Sequence, residues 1–149
     1  MNANTPRALA QRCAEQMFQQ DTCAQAMGMH IDAVDAGYAQ VSMTVGPQML
    51  NGHQTCHGGQ LFSLADTAFA YACNSYNELT VASGFSVDLM APGREGDVLT
   101  ARAFEVSKAG RTGVYDCEVT NQRGERIAVF RGRSYTMRGK PAVPEQSAG

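Results

Sequence analysis

Apolar residues first recur at helical spacing. Leu9, Cys13 and Met17 stand four apart, flanked by Ala10, Ala14 and Phe18. This predicts an amphipathic helix beginning near Pro6, with Thr5 as its cap. A second helical piece is expected from Asp21 to Met27, stopped by Gly28. Period two then takes over in HIDAVDAGYAQVSMTV, which Ala36-Gly37 breaks into two strands. In the second of these, Ala39, Val41, Met43 and Val45 face one way and Gln40, Ser42 and Thr44 the other. After the loop GPQMLNGHQTCHG the helical period returns from about Gly58 to Asn74. Leu61, Leu64, Ala65, Ala68, Phe69, Ala72 and Cys73 form a full apolar stripe there. Four strand-like segments follow at 80–91, 96–108, 112–121 and 126–137, separated by Pro92-Gly93, Ala109-Gly110 and Arg123-Gly124.

Two strands, one long helix and four strands suit an α+β fold in which a curved antiparallel sheet wraps a central helix. We expect an N-terminal helical segment over 1–28, the main domain over 29–138, and a disordered Pro/Gly/Ser-rich tail over 139–149.

The face of the central helix opposite the stripe carries Gln60, Ser63, Thr67, Ala70 and Asn74. A solvent-facing helix would carry Lys, Glu or Arg, so this face too is expected to be buried, against a second copy of the chain. The 17% share of charged residues points the same way. With a formal net charge of −2 there is no broad basic footprint for nucleic acid. The polar start shows no signal peptide, and no apolar run is long enough to span a bilayer. Five widely spaced cysteines read as reduced thiols in a cytoplasmic protein.

The one charge on the central helix is Asp66, at the seam of its two faces, with Phe62 and Phe69 within a turn. A structural role would bond it to Ser63 or a loop amide, or pair it with a strand Arg. Gly58-Gly59 would then be a tight turn into the helix. Together, though, the pair of glycines and the carboxylate make a constellation. Backbone N–H groups at a helix N-terminus suit a developing oxyanion, and a buried carboxylate suits a base. Eight residues separate Gly58 from Asp66, about 12 Å along the axis, too far for both to act on one carbonyl. Two antiparallel copies about a twofold axis would set Gly58 of one beside Asp66 of the other.

At these residues the chain resembles the hotdog-fold acyl-CoA thioesterases, and among them the phenylacetate-degradation (PaaI) group. The resemblance rests on N-G-x-x-x-x-H-G-G (Asn51 to Gly59), L-x-D-T-A (Leu64 to Ala68), A-P-G (Ala91 to Gly93) and G-R-T-G-V-Y-D (Gly110 to Asp116). It implies a homodimer with shared active sites, doubled to a homotetramer, and hydrolysis of arylacetyl-CoA to the acid and free CoA without a cofactor. It assigns the catalytic carboxylate to Asp66, the oxyanion amide to Gly58 with Gly59 beside it, and the orienting amide to Asn51. Ser83 is the assisting hydroxyl on the following strand, and His57 pins the loop or lines the thioester site. Lys108, Arg111 and Thr112 form a hairpin that suits the CoA phosphates, with Arg131, Arg133 and Arg138 as further positive charge.

Cys56-His57 invites a thiol nucleophile, but no third orienting group is evident. His53, Cys56 and His57 suggest zinc, but no fourth ligand follows at a standard spacing. A hotdog-fold hydratase or dehydratase and a non-catalytic acyl-CoA-binding protein remain the alternatives.

Overall fold

The computed structural model describes residues 4–145. Helix α1 spans Pro6–Gln20, and its first turn is closed by the Thr5 hydroxyl, which accepts from the Ala8 amide at 3.0 Å. Asp21 ends α1 and starts the short helix α2 (Thr22–Ala26): its amide donates to Phe18 O, and its carboxylate accepts from the Ala24 amide. Strands β1 (His30–Asp35) and β2 (Tyr38–Thr44) turn at Gly37, whose φ of 70° is one a side chain resists. The central helix α3 covers Gly58–Cys73, followed by β3 (Thr80–Leu89), β4 (Val98–Ala109), β5 (Thr112–Thr120) and β6 (Arg126–Thr136).

The six strands make one antiparallel sheet in the order β1-β2-β4-β5-β6-β3. The alternation expected for β2 is realised, with Ala39, Val41, Met43 and Val45 all buried. They join Leu99, Ala101, Ala103, Tyr115 and Val119 beneath the apolar stripe of α3. Where the helix presses hardest, β6 carries Gly132. A Cβ there would stand 2.5 Å from the Phe69 ring, so only glycine admits the contact.

The elements end a residue or two from their expected limits for local reasons. Helix α3 stops at Cys73 because Asn74 turns its side chain into a clamp, donating to Ala70 O and Thr80 O and accepting from the Thr80 amide. Strand β4 starts late because the Asp97 carboxylate accepts from the Arg94 amide and closes a loop there. The tail departs further from expectation. Residues 139–145 are held against the body rather than disordered: the Leu79 amide donates to Lys140 O, the Val143 amide donates to Asn77 Oδ1, and the Val143 side chain is 4% exposed. Residues 146–149 lie outside the described residues.

Strand β3 pairs only with β6, so its other edge is open. Val87, Leu89 and Met90 are exposed at or just beyond it. The outer face of α3 is quiet for a different reason. Ser63 donates to Gly59 O and Thr67 to Ser63 O, so both hydroxyls are spent within their own helix.

Candidate active site

The site begins with the amides that open α3. A helix N-terminus leaves four N–H groups without intrahelical partners. Here the His57 amide donates to Met49 O at 2.8 Å, and the Gln60 amide to His57 O at 2.9 Å. The Gly59 amide donates to His57 Nδ1 at 3.1 Å. Only the Gly58 amide finds no acceptor among the described residues, and it sits where the helix dipole favours negative charge. Gly59, expected beside it as a second substrate contact, is instead taken up by the His57 cap. His57 therefore pins the loop.

Asn51 faces the same opening. Its Oδ1 accepts from the His53 and Thr55 amides and from the Thr55 hydroxyl. That fixes the amide's orientation and leaves Nδ2 as an unused donor. Asn51 and Gly58 line one hollow of about 320 Å³, closed by Leu61 and by Leu89 to Gly93. Cys56 lines it too, but burial pushes its thiol up, and its Sγ donates to the His57 carbonyl oxygen rather than to an imidazole nitrogen. The thiol-nucleophile reading therefore fails.

Asp66 stands two turns further along α3, within one turn of Phe62 and Phe69. Phe85 lies edge-on to Phe62 at 4.9 Å and to Phe69 at 5.0 Å. No donor and no cation reaches the half-buried carboxylate among the described residues. The structural alternatives are thus absent, since Ser63 bonds to Gly59 O and the strand Arg nearest in kind, Arg131, pairs with Asp116. Burial raises the Asp66 pKa above the ordinary carboxylate value, and the like charge of Asp21 adds to it. Asp21 in turn accepts a hydrogen bond from the buried Tyr71 hydroxyl at 3.1 Å. The sequence does not announce this pair, because its two members lie 50 residues apart.

The basic hairpin is arranged differently from expectation. The Lys108 ammonium is drawn away over the Tyr76 ring, 3.8 Å from its centroid, and lies 4.0 Å from Glu78. Arg111 donates to the Tyr135 hydroxyl, and Thr112 to Ala109 O. Arg138 reaches the hairpin turn as well, its Nη2 3.8 Å from where a Cβ on Gly110 would stand. Ser83 occupies a bulge of β3, donates to Arg133 O, and lines a separate hollow of about 240 Å³ with Thr112 and Arg133. Within one chain, then, Asn51, Gly58 and His57 come together, while Asp66, Ser83 and the hairpin stand apart.

The thioesterase superfamily model matches residues 53–128, a span that holds both Gly58 and Asp66. The chain belongs to the thioesterase superfamily. Within it, the chain is 54% identical to the acyl-coenzyme A thioesterase PaaI of Escherichia coli K12, over 85% of this chain and 90% of that one. The solved structure of E. coli PaaI, from the phenylacetic acid degradation operon, superposes with a TM-score of 0.90 at 51% identity, covering 91% of this chain and 99% of that one. A mutant of the phenylacetic acid degradation protein PaaI from Thermus thermophilus gives 0.74 at 35% identity, covering 76% and 97%. A hypothetical thioesterase protein from Streptococcus pneumoniae, solved with coenzyme A, gives 0.77 at 26% identity, covering 82% and 95%. The hotdog fold is thus shared with these thioesterases. Among the described residues no helix is long and apolar enough to cross a membrane.

Proposed function

We propose that the chain hydrolyses acyl-CoA thioesters, arylacetyl-CoA in particular, to the acid and free CoA. It acts as a homodimer in which each site joins Gly58 of one protomer to Asp66 of its partner. The observation that carries this is a pair of complementary vacancies on one helix: an unused donor at Gly58 and an unused acceptor at Asp66, about 12 Å apart. An antiparallel second copy brings each to the other.

In such a site the thioester carbonyl oxygen takes the Gly58 N–H, backed by the dipole of α3, with Asn51 Nδ2 as a second donor. Asp66 removes a proton from water, and the resulting hydroxide adds to the carbonyl carbon. The tetrahedral oxyanion collapses, the C–S bond breaks, and the CoA thiolate takes the proton held by Asp66. Alternatively, Asp66 attacks the carbonyl carbon itself and expels the CoA thiolate, which takes a proton from water, and the resulting hydroxide cleaves the mixed anhydride at the Asp66 carboxyl carbon. A single turnover in heavy-oxygen water separates the routes, because only the second leaves label in the protein carboxylate. Arg111 and Arg138 are the cations proposed for the CoA phosphates, with Thr112 beside them and Ser83 assisting from β3.

Pairing of the dimers through the outer sheet face into a tetramer is supported by Phe104 and Val106, 43% and 49% exposed there. All five cysteines are free, which suits the reducing cytoplasm. The test of the activity is free-thiol release from a panel of acyl-CoAs. Turnover of phenylacetyl-CoA supports the proposal, and no release from any member overturns it. A hydratase would leave a saturated arylacetyl-CoA intact.

A further inference from the structure

A groove of about 830 Å³ runs between the α1–α2 turn, the outer face of α3 and residues 142–144. Gln16, Met17 and Gln20 of α1, Asp21 at the turn, Tyr71 of α3 and Val143 of the tail form its walls. It opens at Ala70, one turn or about 6 Å beyond Asp66 along the helix, roughly the length of an arylacetyl group. The like charge of Asp21 acts on Asp66, so the groove's one charge lies within electrostatic range of the reacting centre.

The groove's chemistry is uneven. No Lys, Arg or His lines it, so the phosphates of CoA meet no counter-charge there and are directed elsewhere. Met17 offers apolar contact, with the buried Tyr71 and Val143 packed behind it. Asp21 is held from two sides, by the Tyr71 hydroxyl at 3.1 Å and the Ala24 amide at 3.0 Å. Its oxygens keep lone pairs free for a further donor, and no cation neutralises it among the described residues.

We infer that this groove receives the acyl group of the thioester, and that Asp21 sets its selectivity: it accepts a hydrogen bond from an acyl group bearing a hydroxyl and repels one bearing a carboxylate. The inference rests on the acyl-CoA reading above. It makes the N-terminal segment, outside the helix-and-sheet body, the part of the chain that reads the substrate. An anionic acyl end would meet Asp21 in a partly dry groove, where like charges are costly.

Asp21→Asn tests this with little disturbance, because Asn keeps an oxygen for the Ala24 amide and remains a good cap. Thiol release is followed for succinyl-CoA and for 4-hydroxyphenylacetyl-CoA. The succinyl-to-hydroxyaryl ratio of kcat/KM is expected to rise by roughly tenfold or more in the variant. Any change that Asp21→Asn makes through Asp66 affects both substrates alike and cancels in that ratio. Met17→Trp fills the groove without altering its charge and should lower kcat/KM for phenylacetyl-CoA about tenfold relative to acetyl-CoA. A ratio unmoved in Asp21→Asn, or in a folded Met17→Trp, overturns the inference. A wild-type protein that releases no thiol from any of the four substrates defeats the thioesterase reading itself. An active wild type with unmoved ratios defeats only the groove.

Discussion

The two working ends of α3 are built by opposite rules. Around Gly58 the hydrogen-bond accounting is almost closed: His57, Gly59 and Gln60 each place their amides, Asn51 Oδ1 gathers three donors, and a single N–H is left over. Around Asp66 almost nothing is satisfied, and a carboxylate stands among aromatic rings with another carboxylate as its electrostatic neighbour. The first is a rigid frame around one donor. The second is an acceptor with no partner among the described residues, and the one proposed for it is the Gly58 amide of a second copy. A protein carries such a pair only if something completes it, because each is costly alone.

The largest effect should come from breaking the acceptor end. Asp66→Asn is nearly isosteric and removes the base or nucleophile, so kcat should fall by about a hundredfold or more with the fold intact, measured by thiol release. Near-normal turnover in the folded variant would remove Asp66 from the chemistry.

The donor end is sharpened by Asn51→Asp. The aspartate keeps an oxygen for the His53 and Thr55 donors but loses the N–H2 aimed at the hollow and places a charge beside the oxyanion. Turnover should fall by roughly tenfold or more with little change in KM. A loop role alone would leave kcat in place.

A smaller effect is expected at the hairpin. Replacing Arg111 and Arg138 with Ala should raise KM for an acyl-CoA about fivefold while sparing the matching pantetheine thioester, which lacks the nucleotide. Lys108→Ala should not separate the two substrates, because Tyr76 and Glu78 already hold that ammonium.

The smallest effect is on stability. Burial raises the folded-state pKa of Asp66. The stability that goes with the neutral carboxyl is thus complete below the ordinary carboxylate range and is lost as pH rises through the raised value. At pH 7 Asp66→Asn should therefore melt roughly 2 °C or more above the wild type, and the two should converge near pH 3. In the proposed dimer the partner's helix N-terminus would offset part of the repulsion, which keeps the gain small. A variant that melts lower at pH 7 would show the carboxylate to be structurally satisfied.

The contrast also explains what could be read in advance. The elements were legible because periodicity is a local property: the α3 stripe and the β2 alternation name their faces without outside help. Asp66 stood out for the same reason, as the one charge on a helix otherwise free of them. That the Gly59 amide is already spent was not legible, because it turns on where a single imidazole nitrogen points. Lys108 was misplaced because Tyr76 and Glu78, which draw it off, lie about thirty residues away in sequence. The tail was misjudged because its Pro/Gly composition hides one apolar residue, Val143, that Asn77 and the α1 groove hold in place. Asp21 escaped notice because the capping role it does perform is explanation enough at the level of sequence.

The shared site is tested most directly by mixing two inactive proteins, Asp66→Asn and Gly58→Pro. Proline suits this position. Gly58 is the first residue of α3, where a missing N–H breaks no helical bond, and His57 already has the extended backbone (φ −59°, ψ 136°) that a following proline demands. A Cβ there meets the Leu89 side chain, whose Cδ1 lies 3.3 Å away. Each variant is first shown to fold and to exchange subunits. In a mixed dimer one interface then holds the intact glycine of one chain and the intact aspartate of the other, while the second interface carries both lesions. The account predicts that thiol-release activity, absent from either protein alone, appears on mixing and approaches one working site per heterodimer. If Gly58 and Asp66 served a site within a single chain, every site would keep one lesion. No activity on mixing would then contradict the shared site.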